Sequence, residues 1–253
     1  MAMVDALILA GSPNDGQLKD CSPARYEALI NIGGKAMVEY VVDALKESPD
    51  IRRIVVVGPP EELKKVLPGY TTVVPANLDL MGNLLEGLKY LPDAGQVLMA
   101  TCDIPMITPQ AIENFLFLCS SRKADIYYPV IPRSYVERSY PRTRRTYVSF
   151  REGQFTGGNL FLFNPAVVEG CLRQSQRVID ARKSPLRLGR MLGLNFLLKF
   201  LLHRITLKEA EARASGLLGV NGAVVISNYP EMGVDVDKPS DLELAIDKLS
   251  VAI

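Results

Sequence analysis

Val4-Asp5-Ala6-Leu7-Ile8-Leu9-Ala10-Gly11-Ser12-Pro13-Asn14-Asp15-Gly16 decides the fold. A short, nearly continuous apolar run that stops at glycine reads as a strand buried on both faces, as in a sheet covered by helices. A connection of about 20 residues follows, from Gly11 to Ile30, rich in Gly, Pro, Ser and Asp. Loops longer than roughly 12–15 residues are uncommon in compact domains and are usually functional. This one leaves the carboxyl end of a first strand, where open α/β sheets bind ligands. Gly11, Ser12 and Gly16 let backbone amides approach phosphate oxygens, and Lys19 and Arg25 add positive charge. The spacing matches neither GxGxxG nor GxxxxGK[ST], which disfavours a dinucleotide fold and a P-loop.

Outward from this stretch the periodicity alternates. Helices are expected over Ala36–Leu45, Glu61–Leu67, Leu80–Leu91 and Pro109–Leu118, with strands over Ile54–Val57, Thr71–Val74 and Gln96–Ala100. Such alternation predicts a doubly wound α/β unit with a mostly parallel sheet. The rhythm then changes. Strands are expected at Ile126–Ile131, Thr146–Phe150, Asn159–Phe163, Ala223–Ile226 and Met232–Val236. Helices are expected at Pro165–Leu172, Leu188–His203 and Leu207–Ser215, with a closing helix over Ser240–Leu249 capped by Ser240. The reading is one α/β domain over residues 1–253, with a basic loop or hairpin at 133–151 and a helical insertion at 173–219.

Composition sets bounds on function. The 253 residues are 48% hydrophobic and 23% charged, enough apolar side chain for a core and too much for a disordered chain. A net charge of +1 argues against a generally basic nucleic-acid binder. Cys21, Cys102, Cys119 and Cys171 show no CxxC spacing, and no secretory signal is read at the start, so a reducing cytoplasm is expected. The charge is uneven: residues 133–204 hold 14 Lys and Arg against four acids, a local +10 that leaves −9 for the remainder. Within it Arg133, Arg138, Arg142, Arg144, Arg145 and Arg151 alternate with Tyr135, Tyr140 and Tyr147. An acceptor pocket for phosphate or carboxylate ranks first, a solvated hairpin next and nucleic acid last. Leu188–His203 is apolar nearly all round, and a buried position in the core or a homodimer interface ranks ahead of contact with an anionic membrane surface.

Two segments carry carboxylates at strand ends. Asp103, in Ala100-Thr101-Cys102-Asp103-Ile104-Pro105, reads equally as a ligand for Mg²⁺ held with substrate phosphates or as a turn cap before Pro105. In Val234-Asp235-Val236-Asp237-Lys238-Pro239-Ser240-Asp241, residues two apart on a strand share a face, so Asp235 and Asp237 could face one ion. The alternative there is a turn acid, with Asp241 in the first turn of the closing helix. His203 is the only histidine, and a zinc site has no support.

Leu7-Ile8-Leu9-Ala10-Gly11-Ser12, Glu27-Ala28-Leu29-Ile30-Asn31-Ile32-Gly33-Gly34-Lys35-Ala36-Met37, Cys102-Asp103-Ile104-Pro105 and Val234-Asp235-Val236-Asp237-Lys238-Pro239-Ser240-Asp241-Leu242 occur in the order and spacing of one family. The chain resembles the MobA-like nucleotidyltransferases, which include molybdenum-cofactor guanylyltransferase and the sugar-phosphate and sugar-acid nucleotidyltransferases. The resemblance covers most of residues 4–118 and 157–248. It implies a glycosyltransferase-A-like α/β fold with a mixed, mostly parallel sheet. It also implies transfer of a nucleoside monophosphate from an NTP to a small anionic acceptor, with Mg²⁺ (or Mn²⁺) and release of pyrophosphate. On that basis Leu9, Ala10, Gly11, Ser12 and Gly16 hold base and phosphates, and Gly82 and Asn83 lie near base or ribose. Asp103 and Asp237 bind the metal, and Gly157, Gly158 and Asn159 meet the acceptor. The residues' own chemistry adds Asp235 beside the metal, Lys19 and Arg25 as cations assisting catalysis, and Arg142, Arg144 and Arg145 at the acceptor. One departure stands out, because the family often carries Lys where this chain has Glu27. That leaves two alternatives: a glycosyltransferase using Asp235-Val236-Asp237, or a non-catalytic nucleotide-binding or membrane-associated regulator.

Overall fold

The computed structural model describes residues 3–76, 79–171, 174, 191 and 193–250. Its centre is β1 (Val4–Leu9), flanked in parallel by β4 (Ile51–Gly58) and β6 (Val97–Thr101). Side-chain alternation along these strands divides the core into two layers. Ala6 and Ile8 pack with Met37, Val41 and Leu45 of α1 (Met37–Glu47) and with Phe115 of α4 (Pro109–Ser120). Leu7, Val55 and Val57 face the other way, toward Leu84 of α3 (Leu80–Leu88). Helices therefore cover both faces, and the strands between them read as apolar throughout.

The sheet order is β5 (Thr72–Pro75), β4, β1, β6, β10 (Leu160–Phe163), β7 (Ile126–Pro132), β9 (Gly153–Gly157) and β8 (Val148–Phe150), with β11 (Gly222–Ile226) paired to β7. The chain first winds from β1 through β4 to β5 (Thr72–Pro75), then crosses back to place β6 on the other side of β1. The crevice at the carboxyl ends of β1 and β6 is thus a topological switch point, the usual ligand position in open α/β sheets. β10 (Leu160–Phe163) runs antiparallel between β6 and β7 and makes the sheet mixed.

Most first-half elements fall within a few residues of expectation, and the second half brings corrections. Arg133–Ser139 is a helix where a loop or hairpin was expected, following Pro132 and held by an Arg133–Glu137 pair at 2.6 Å. A strand over Gly153–Gly157 (β9) was not anticipated; it joins Val148–Phe150 (β8) to β7. Met232–Val236 is not a strand: a 3-10 turn spans Pro230–Gly233, and the chain then runs irregularly past the end of β6. The closing helix begins at Pro239, so Ser240 lies inside its first turn and is not its cap.

Of the 173–219 stretch, the described parts form helices at Leu194–Leu201 and Leu207–Leu218; most of the segment before residue 193 lies outside the described residues. Leu198, Phe200, Leu201 and Leu202 are exposed, which corrects the expectation of a helix buried in this chain's core. Among the described residues no helix is long and apolar enough to cross a membrane.

One buried charge lies at the opposite end of β1 from the switch point. Asp5 is almost wholly buried and accepts hydrogen bonds from Arg52 (3.0 and 2.6 Å) and Arg53 (3.0 and 2.7 Å). Burial pushes its carboxyl up, but the two guanidinium groups outweigh that and hold its pKa at about 2.

Candidate active site

The glycine loop folds back on itself. The Glu27 amide donates to the Ser12 carbonyl at 3.1 Å and the Asn14 amide to the Arg25 carbonyl at 2.9 Å. The Asn14 side chain donates to the Ser22 and Ala24 carbonyls, and Leu18 plugs the loop into the core. A Cβ on Gly11 would lie 2.6 Å from the Ala76 Cβ and 3.9 Å from the Asn83 amide nitrogen, so only glycine lets the loop approach β5 and the start of α3. Gly11 and Asn83 are thereby brought together. The Gly82 amide is already taken, because Asp79 caps α3 by accepting from it at 2.8 Å. Lys19 and Arg25 are exposed on the loop, and Arg25 lies 5.4 Å over the Tyr26 ring.

Across the crevice the chain gathers acids. Carboxylate oxygens of Asp103, Asp235 and Asp237 lie within 4.8 Å of one another. The Thr101 hydroxyl donates to the Asp103 carboxylate, and the Val236 amide donates to the Asp103 carbonyl at 2.8 Å. Burial pushes the Asp103 carboxyl up and the neighbouring Asp237 adds to the rise, while the Thr101 hydroxyl opposes it. Glu27 faces the same group: burial, then the charges of Asp103, Asp237 and Asp15, raise its carboxyl above the usual range. A Cβ on Gly16 would lie 3.8 Å from a Glu27 carboxylate oxygen, which places Glu27 beside the glycine loop.

Arg145 is the cation of this cluster. Its guanidinium donates to the Asp235 carboxylate and to the Asp235 carbonyl, and lies 3.5 Å from the buried Asp241 carboxylate. Of the arginines expected at an acceptor, this one alone reaches the acids, and there it is engaged by protein. Arg142 instead pairs with Asp247 of the closing helix at 3.7 Å, and Arg144 is exposed, its carbonyl accepting from Lys238. The Gly158 and Asn159 amides donate to the Pro129 and Met232 carbonyls (2.9 and 2.8 Å), and the Asn159 carbonyl accepts from Thr101. These residues seam β6, β7 and the 232–237 segment together at the crevice.

Three members of the site were not found as such from sequence. Glu27 was noticed only as a departure from a lysine position, Asp241 as a helix-start acid, and Thr101 not at all. Thr101 and Asp103 alternate at the end of a strand, a signal that a period-two reading carries. The set of hard carboxylate oxygens, with no His or Cys among them, suits Mg²⁺ or Mn²⁺ better than zinc. Since the Arg145 charge is spent on Asp235, Asp103 and Asp237 are the pair better placed for a cation.

Known proteins carry the same architecture. A solved structure from Thermus thermophilus, described as a hypothetical transferase, superposes with a TM-score of 0.84 at 38% identity, over 95% of this chain and 99% of that one. A CMP:2-keto-3-deoxy-manno-octonic acid synthetase bound to CTP shares the fold, with a TM-score of 0.63 at 15% identity and full coverage of both chains. The 2-C-methyl-D-erythritol 4-phosphate cytidylyltransferase of Rhodococcus opacus is 30% identical over 129 residues, 49% of this chain. The match takes in 56% of that curated relative's length. The family model for the MobA-like NTP transferase domain matches residues 24–185, a range that takes in Glu27, Asp103 and Asn159 and leaves out Gly11, Asp235 and Asp237. With that match over more than half the chain and a sheet whose switch point carries the acids, the chain belongs to the MobA-like NTP transferase domain family.

Proposed function

We propose that the protein transfers a nucleoside monophosphate from an NTP to a small anionic acceptor, releasing pyrophosphate, with Mg²⁺ held by Asp103 and Asp237. The observation that carries this reading is the convergence of the Asp103, Asp235 and Asp237 carboxylates beside the glycine loop. Mg²⁺ bound there supplies charge neutralisation for the phosphates and fixes their orientation. The chain's own residues do the rest. Backbone amides of Gly11 and Ser12 orient the triphosphate, since the Ala10 amide is already engaged by the Val57 carbonyl at 2.8 Å, and the exposed Lys19 and Arg25 add attraction for it. Asn83 lies beside Gly11, in reach of the nucleoside. Thr101 holds the Asp103 carboxylate in one rotamer, and Arg145 does the same for Asp235. An acceptor oxygen attacks the α-phosphorus, the α–β bridging bond breaks, and its electrons leave with pyrophosphate; positioning supplies most of the rate. β1 and β6, whose carboxyl ends carry the glycine loop and Asp103, belong to one continuous sheet, which supports a single domain.

The test is thermal stability of the purified protein against CTP, GTP, ATP and UTP, each with and without Mg²⁺. A ligand at 100 times its dissociation constant stabilises by roughly 2.7 kcal/mol, a visible shift in melting temperature. One NTP is expected to give a shift that requires Mg²⁺, and to support pyrophosphate release in an acceptor screen. No shift with any of the four overturns the proposal.

A further inference from the structure

Leu198, Phe200, Leu201 and Leu202 are 51%, 43%, 71% and 62% exposed. Other large apolar side chains exposed among the described residues, such as Tyr70, Tyr90 and Phe117, stand singly, which is ordinary for a soluble surface. A cluster within five consecutive residues is not. Leu198, Leu201 and Leu202 are spaced i, i+3, i+4 and so share one face at the end of the helix Leu194–Leu201. The helix is entered through Gly193 at φ 86° and is followed by His203 at φ 52°.

The rim of this patch is cationic. The Arg151 amide donates to the Ile205 carbonyl at 2.8 Å, which brings the β8–β9 turn beside Arg204 and His203. Arg151 and Arg204 are exposed, and among the described residues neither makes an ion pair. Of the nearby acids, Glu209 pairs with Lys199 at 2.5 Å and caps its helix, while Glu152 accepts from the Leu207 amide at 3.1 Å and keeps its charge. The patch thus sets exposed leucines beside two arginines that make no ion pair among the described residues.

We propose that this face rests on an anionic lipid surface, with Leu198, Leu201 and Leu202 entering the headgroup–acyl boundary and Arg151 and Arg204 meeting lipid phosphates. The combination of an apolar helix face and flanking cations is what such a surface recognises. A second copy of this chain is the competing occupant, and the measurement below separates the two.

The experiment is co-sedimentation of the full chain with vesicles of phosphatidylcholine, alone or mixed with phosphatidylglycerol, at low and high salt. Binding is expected only to the anionic vesicles and is expected to fall with salt. Each arginine near such a surface contributes about fivefold in partitioning, so the double variant Arg151→Gln/Arg204→Gln is expected to lose about 25-fold. Leu201→Gln/Leu202→Gln is expected to lose at least about tenfold while melting as the parent does, since both side chains are exposed. Absence of anionic-vesicle binding by the parent overturns the proposal, as does binding undiminished in both double variants. Concentration-dependent self-association that the leucine variant abolishes without vesicles also overturns it, by assigning the patch to a second copy.

Discussion

The backbone amide of Val236 donates to the backbone carbonyl of Asp103 at 2.8 Å, clipping the acidic segment after Gly233 onto the end of β6. Because the clip uses main-chain atoms, the two carboxylate-bearing segments meet whatever their side chains do. Asp235 and Asp237 flank the donor, so one hydrogen bond brings both beside Asp103. The site is therefore assembled by backbone geometry against the mutual repulsion of its acids.

That arrangement separates activity from folding at Asp103. In Asp103→Asn the amide oxygen still accepts from Thr101 and the clip to Val236 is unchanged, while one negative charge leaves the cluster. Turnover is expected to fall by about 10³-fold or more, as when a charge-stabilising group is removed from a transfer site. The melting temperature without divalent ions is expected to hold or rise, because a partly buried like charge is gone. Parallel pyrophosphate-release and calorimetric measurements check both halves.

Arg145 makes the opposite prediction. Its side chain is 8% exposed and is the cation against both Asp235 and the buried Asp241. Arg145→Met leaves those carboxylates facing each other, and breaking a buried pair from one side costs about 3–5 kcal/mol. The melting temperature is expected to drop sharply without divalent ions and to recover in part with Mg²⁺. An unchanged melting temperature would return Arg145 to an acceptor-binding role.

Legibility in the sequence followed locality. The strands β1, β4 and β6 could be read because each is short, apolar and buried on both faces, and α1 because its apolar residues repeat at helical spacing. Asp103 and Asp237 could be placed because both follow strand-like runs before proline. The pairing of Arg145 was not legible because it depends on two residues far along the chain, Asp235 and Asp241, and nothing in a run of arginines says which one turns inward. The exposed leucines were misread for a related reason: an all-round apolar helix predicts burial, and what covers it is a tertiary fact. β9 was missed because Gly153-Gln154-Phe155-Thr156-Gly157 has too few apolar residues to show a period of two.

At Asp5 the prediction concerns pH. Its folded pKa of about 2 lies below the ordinary 3.8, so the folded state releases this proton more readily than the unfolded state. The resulting stabilisation is complete above about pH 4 and is lost as pH falls through about 2; by linkage it amounts to on the order of 2 kcal/mol. Asp5→Asn is expected to remove about that much at neutral pH and to flatten the acid limb of the stability curve. The cost stays modest because Arg52 and Arg53 remain 39% and 38% exposed and keep their hydration. Urea unfolding from pH 2 to 7 of parent and variant reads both effects.

Glu27 tests how this chain departs from its family. The family resemblance leads to an expectation of lysine at this position, and the carboxylate found there lies in the field of Asp103 and Asp237. An ionised Glu27 strengthens the attraction for a divalent cation and weakens that for a bare triphosphate. Removing one unit charge a few ångströms from a divalent cation, at the water-like dielectric of a half-exposed site and with salt screening, is worth about 1–1.5 kcal/mol, or roughly tenfold. Glu27→Gln is therefore expected to weaken Mn²⁺ binding by about tenfold at low salt, with a smaller effect at high salt. Glu27→Lys is expected to weaken it further and to tighten NTP binding in the absence of metal. Titration calorimetry with Mn²⁺ and with NTP separates the two ligands. If neither affinity moves in either variant, Glu27 is a loop residue and the substitution has no electrostatic consequence. If Glu27→Lys gains metal-free NTP affinity while losing turnover, the carboxylate is part of how this protein holds its cation.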